Sequence, residues 1–109
     1  MKQDKICSLL GIAMKSGNLV SGELPTLNAI RSGEAGLVVV AGDASDNTKK
    51  TFTDKCGYYE VPLITCLTKA QLGHAIGKEY RSSAAVLESG LAGSIKKIYN
   101  ERMDIYEGS

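Results

Sequence analysis

The chain has 109 residues, of which 43% are hydrophobic; this is the size of one domain, able to remove about two-thirds of its unfolded surface from water. Thirteen basic and twelve acidic side chains leave a formal charge of +1, which excludes a polycation that holds nucleic acid by bulk attraction. Any such contact must come from a local patch fitted to a shaped target.

Taken in order, Ile6, Leu9, Leu10, Ile12 and Ala13 recur at helical spacing from Asp4, with Met14 beside them, and Lys15-Ser16-Gly17 supplies a basic last turn and a stop; helix one is expected over 4–15. Leu19-Val20-Ser21 is apolar enough for a very short strand ending at Gly22. Pro25 then falls in the first turn of helix two, where a missing N–H is tolerated, with Leu24, Leu27 and Ile30 marking one face and Arg31-Ser32-Gly33 its end. Leu37–Ala41 is an unbroken apolar run, three of its residues β-branched, and predicts an interior strand covered on both faces. Ser45 or Asp46 caps a thinly apolar helix three over 46–57, with Phe52, Cys56 and Tyr59 inward and Lys49, Lys50 and Lys55 toward water.

Val61–Cys66 reads as the next strand, with Pro62 near its start. Thr68 and Gln71 form a capping box for helix four, which carries Leu72, Ala75 and Ile76 and runs out at Gly77. Ser83–Leu87 is a weaker strand signal, and the last helix follows from about Ser89, with Leu91, Ile95, Ile98 and Tyr99 inward and Lys96 and Lys97 outward. The residues from about 101 are expected to add one turn and then fray. Helix and strand alternate throughout, so the fold class is α/β, in a single domain over 1–109.

Little of this supports catalysis. His74 is the one histidine and lies inside helix four without an orienting carboxylate nearby in sequence, so no enzyme is expected. Cys7, Cys56 and Cys66 are odd in number and widely spaced, and predict reduced, at least partly buried thiols with neither disulfide nor metal; no cofactor is expected. Residues 1–6 lead directly into a helical pattern and no apolar run approaches a membrane span, so a cytoplasmic protein without membrane contact is expected.

A binding role fits better. Strand C-termini and the loops after them gather along one edge of such a fold, and that edge is expected to bring together Gly42–Asn47, Thr65–Lys69, Ser21 and Gly22, with amides from Asn18 and Asn28 and a further lysine from Lys15. Hydroxyls, helix-start N–H groups and lysines suit sugar-phosphate, and Leu67 could pack on a splayed nucleotide. From the residues alone, RNA, a protein partner and a small ligand all stay open.

Four segments carry a family resemblance. Ser16-Gly17-Asn18-Leu19-Val20-Ser21-Gly22 ahead of a helix, GxAxLVVxAxD over 33–43, Val61-Pro62-Leu63-Ile64, and Leu72-Gly73-His74-Ala75-Ile76-Gly77 stand in the order and spacing of the kink-turn RNA-binding ribosomal proteins. The chain resembles that family, of the archaeal large-subunit "seven-Ae" and eukaryotic "thirty-e" type, and most of all its bacterial YlxQ-like branch, across roughly residues 4–99. The resemblance implies a three-layer α/β/α sandwich with a four-stranded mixed sheet. It implies binding to structured, ribosomal RNA, with ribosomal proteins as further candidate partners; a monomer is expected. The implied contacts are Gly22, Glu23, Leu24, Pro25 and Asn28 at the start of helix two and Cys66, Leu67 and Thr68 before helix four, with Lys69 adjoining. Leu24, Pro25 and Asn28 stand where strong kink-turn binders carry amide, carboxylate or ammonium groups, which implies weakened kink-turn recognition. The alternative is a non-enzymatic structural or protein-interaction module that has lost RNA.

Overall fold

A computed structural model describes residues 2–107, with side chains described for residues 3–101. The elements alternate as expected: α1 (Lys2–Lys15), β1 (Leu19–Ser21), α2 (Glu23–Ser32), β2 (Leu37–Val40), α3 (Asp46–Tyr59), β3 (Leu63–Thr65), α4 (Lys69–Ala75), β4 (Ser83–Val86) and α5 (Ser89–Glu107). The strands form one mixed sheet in the order β1-β4-β2-β3, with β2 and β3 parallel and β4 antiparallel to both its neighbours.

β2 is interior, and Val38 and Val39, whose side chains point to opposite faces, are both fully buried. A strand dry on both sides requires a cover on each, and the helices divide accordingly. α2 and α3 pack on one face, and α1, α4 and α5 on the other. The result is the three-layer α/β/α sandwich. β4, the weak signal in the sequence, also occupies an interior position, with all four of its residues buried. Its Ala84 and Ala85 let the covering helices approach closely where larger side chains would hold them off.

Several facings differ from expectation. α2 buries Thr26, Ala29 and Ile30, and Leu24, about 200° around the helix from Thr26, is 64% exposed. In α1 the buried stripe is Ile6, Leu10 and Ala13, leaving Ile12 exposed. Tyr59 is exposed because α3 reaches its left-handed cap at Glu60 beside it, and its ring packs edge-to-face on Tyr58 instead of on the core. Lys49 and Lys55 are half-buried rather than fully solvated. β3 is shorter than 61–66, since the N–H of Val61 turns back to the Cys56 carbonyl and Pro62 has only its carbonyl to give, to Val38. α5 continues to Glu107, beyond the single extra turn expected, because no glycine or proline follows Gly93 until Gly108.

The helix starts are built locally. Ser45 accepts from the Thr48 N–H, and Thr68 forms the full capping box with Gln71. Glu88 caps α5 with a fork, one oxygen accepting from Gly90 N–H at 2.9 Å and the other from Leu91 N–H at 2.6 Å. The Leu91 and then the Gly90 N–H hold its carboxyl below the usual range. A depressed folded value means that this cap acts fully above the unfolded carboxylate range and is lost as pH falls through the folded one.

Phe52 is the largest fully buried side chain, and Phe52→Ala should cost about 3–5 kcal/mol in urea unfolding. The Thr26 hydroxyl is buried with no hydrogen-bond partner among the described residues. Thr26→Val keeps the shape and removes that orphan, so the urea midpoint should rise, by the equivalent of about 1 kcal/mol.

Candidate nucleic-acid interface

The sheet's topology decides which loops meet. β2 and β3 run parallel and β4 runs against them, so the C-terminal ends of β2 and β3 lie beside the N-terminal end of β4. β1 runs against β4, pairing Ser21 with Ala84, and brings its own C-terminal end to the same edge. Gly22, Gly42, Thr65–Lys69 and Arg81–Ser83 are thereby gathered, as the N–H of Gly22 to the Ser83 carbonyl and the N–H of Gly42 to the Leu67 carbonyl record.

The same pairing separates two residues expected there. Asn18 and Lys15 precede β1, and Asn18 sits at the far end of the strand, its carbonyl accepting from Leu87 and its side-chain amide donating to Ser16 Oγ at 2.9 Å. Four residues of extended chain put it about 13 Å from Gly22, on the opposite edge. Because β1 crosses the whole sheet in three residues, nearness in sequence misled.

At the near edge, Gly22 adopts φ 96°, ψ 162° and opens α2, its carbonyl accepting from Thr26 N–H. A Cβ there would meet nothing closer than Pro25 Cδ at 3.7 Å, so it is the backbone angle, almost confined to glycine, that requires it. Glu23, Leu24, Pro25 and Asn28 follow on the exposed face of α2. Across the edge, Leu67 lies at φ 65°, a left-handed conformation unusual for a branched residue. Its side chain is only 6% exposed, so it belongs to the core and cannot pack on a nucleotide. Its contribution is to anchor the turn that presents Thr68. Cys66 is likewise buried, whereas Thr68 is exposed and Lys69 half-buried.

Two ties hold this turn. Asp43 accepts from the Lys69 N–H at 2.7 Å, joining the loop after β2 to the start of α4. Arg81, which no sequence pattern singled out, joins both halves of the edge. Its N–H donates to the Lys69 carbonyl, its Nε donates to Ser21 Oγ at 3.0 Å, and its Nη1 to the Tyr80 carbonyl at 2.8 Å. The guanidinium has five N–H donors, and Nη2 has no partner among the described residues. The only sequence sign was its place directly ahead of a strand that runs against the others.

Charge at the edge is near balance: Lys69, Lys78 and Arg81 stand against Glu23, Asp43 and Glu79, with one Asp43 oxygen already committed to Lys69 N–H. Elsewhere the chemistry is sparse. The three cysteines remain thiols. Burial pushes Cys56 up to about 11, and burial followed by the charge of Asp4 raises Cys7, so neither is a ready thiolate. Among the described residues no group of three or more His, Cys, Asp or Glu side chains could hold a metal ion, and no helix is long and apolar enough to cross a membrane.

Comparison with known proteins gives a consistent result. The family described as ribosomal protein L7Ae/L30e/S12e/Gadd45 matches residues 4–95. The RNA-binding protein YlxQ of Bacillus subtilis (strain 168) is 45% identical over 87 residues, covering 80% of this chain and 87% of that protein. The RNA-binding protein YlxQ of Enterococcus faecium is 40% identical over 96 residues, covering 88% and 92%. A solved structure of a protein with unknown function from Bacillus halodurans C superimposes with a TM-score of 0.85 at 34% identity, over 88% of this chain and 97% of that one.

The φ of Gly22 yields a stability prediction. Gly22→Ala should destabilise by about 1–3 kcal/mol in chemical unfolding. Gly42→Ala should cost less, because a Cβ at Gly42 meets the Leu67 carbonyl at an ordinary 3.5 Å.

Proposed function

The chain belongs to the ribosomal protein L7Ae/L30e/S12e/Gadd45 family, and on that premise we propose that it is a non-enzymatic binder of structured RNA, acting on ribosomal RNA in the cytoplasm through the Gly22/Thr68 edge. The observation that carries this reading is the Arg81 clasp, which fixes the start of α2 and the start of α4 side by side and leaves part of a guanidinium fork uncommitted. Gly22 lets the sugar-phosphate chain approach the backbone, and the Glu23 and Leu24 N–H groups of the first helical turn offer donors to phosphate. Thr68 divides its hydroxyl between capping α4 and a ribose or phosphate. Lys69 supplies attraction without sequence preference. Asn28 is exposed on the same helix as Leu24 and Pro25 and is the one side-chain amide left to read a base there.

Leu24 and Pro25 offer no hydrogen bond to a base edge, so standard kink-turn recognition is weak. A second reading has its own support: near-balanced charge together with exposed Leu24, Pro25 and Tyr80 suits a protein partner, such as a ribosomal protein.

Titration against structured RNA separates the two. Arg81→Ala should weaken binding about tenfold or more, the loss expected for a charge-assisted hydrogen bond. Arg81→Lys should restore the salt dependence but not the full affinity, because it keeps the charge and loses the fork. Lys69→Ala should weaken all RNAs alike and lower the salt slope by at most about one. Leu24→Asn, Pro25→Glu and Asn28→Lys together should raise affinity for a kink-turn more than for plain duplex. Absence of wild-type binding to ribosomal RNA fragments at low salt would transfer the case to the protein partner.

A further inference from the structure

Beyond the edge, α4 and the segment that follows it line a shallow, open groove of about 520 Å³, at Ala70, Gln71, His74, Lys78, Glu79 and Tyr80. Its volume lies within the roughly 300–1,000 Å³ of small-ligand clefts. The groove has a built wall. After α4 the chain hooks back, with the Lys78 N–H returning to the Gly73 carbonyl and the Arg81 N–H to the Lys69 carbonyl. Gly73 permits this, since a Cβ there would lie 2.6 Å from the Glu79 carbonyl oxygen and 2.9 Å from Tyr80 Cα. Only a residue without a side chain lets the hook lie so close on the helix.

Tyr80 is 61% exposed, an uncovered aromatic face in a chain with few of them. Lys78 and His74 are exposed beside it. Ala70 and Tyr80 of its lining are the chain neighbours of Lys69 and Arg81, which the Arg81 N–H joins to the Lys69 carbonyl, so the groove continues the edge rather than forming a separate site. An aromatic face, a cation and an imidazole suit one nucleotide: the base on Tyr80 and the phosphate near Lys78 and His74. Glu79 is also in the lining, so the two basic side chains share the groove with a carboxylate.

We propose that this groove holds an unpaired nucleotide of the RNA strand leaving the Gly22/Thr68 edge, with Lys78 and His74 on its phosphate and Tyr80 under its base. The inference rests on the RNA reading above and adds a subsite to it.

The test compares a bent helix–loop–helix RNA hairpin with the same hairpin carrying a two-nucleotide unpaired extension, each measured by fluorescence anisotropy at one low salt concentration. Wild type should bind the extended RNA about fivefold or more tightly, the lower bound for stacking one base on an aromatic ring. Tyr80→Ala should reduce that difference while leaving the blunt hairpin within about twofold of wild type, Lys78→Ala should reduce it together with a smaller loss on both RNAs because its charge also belongs to the edge, and Tyr80→Phe should preserve it. Arg81→Ala should weaken both RNAs. If wild type binds the blunt hairpin but gains nothing from the extension, or keeps the gain in a Tyr80→Ala, Lys78→Ala double variant, the groove inference falls and the edge stands. Binding of adenosine monophosphate that matches the gain and is unaffected by the hairpin would overturn the strand assignment in favour of a free-nucleotide site. If neither RNA binds, the edge and the groove fall together.

Discussion

The burial of β2 on both faces is the constraint from which the rest follows. Leu37, Val38, Val39 and Val40 are each at most 1% exposed, and successive side chains of a strand point to opposite sides, so neither face can do without a helical layer. Once α2 and α3 occupy one side and α1, α4 and α5 the other, each connection must emerge at one end of the sheet or the other. β4, inserted antiparallel between β1 and β2, then delivers its N-terminal end to the edge where the other three strands finish.

Strain collects at the same edge. Gly22 occupies a region almost closed to other residues, and Leu67 sits in the left-handed region without being glycine. The left-handed conformation of a branched residue such as Leu67 costs about 1–3 kcal/mol and persists only where its surroundings over-determine it, whereas glycine takes φ 96° without that cost. For Leu67 the surroundings are visible: a buried side chain, a carbonyl accepting from Gly42, and the capped helix that begins at the next residue. Gly22 is held by the bond to Ser83 and by the first turn of α2. Asp43 and Arg81 add long-range hydrogen bonds between segments that are distant in sequence.

The core could be read from the sequence and the edge only in outline. Leu37–Val40 and Phe52 announced themselves by an unbroken apolar run and by an isolated large side chain. β4 did not, because Ser83, Ala84 and Ala85 have weak strand preference and their value lies in being small beneath two helical layers. Leu24 showed the limit of spacing: an i, i+3, i+6 pattern drifts around a helix, and Thr26, a polar residue, took the buried position. Site geometry depended on tertiary pairing that no local pattern encodes. Asn18 and Gly22 are four residues apart and lie on opposite edges, while Ser21 and Arg81 are sixty apart and share a hydrogen bond.

The near-balanced charge of the edge gives these ties a functional meaning. Non-specific affinity for RNA comes chiefly from neutralised phosphates and released counterions, and a chain of formal charge +1 with three carboxylates among its edge cations has little of it to offer. Binding through such an edge must draw on directional contacts, N–H groups, a hydroxyl and part of a guanidinium fork, whose strength depends on geometry. Directional contacts reward rigidity, because each donor that must be ordered on binding subtracts from what it contributes. The Leu67 turn, the Asp43 tie and the Arg81 clasp supply that order before any ligand arrives. On the proposed RNA reading, an edge built in this way would select its ligand by shape, and Leu24 and Pro25, which offer no side-chain hydrogen bond, would leave the backbone frame of that edge intact.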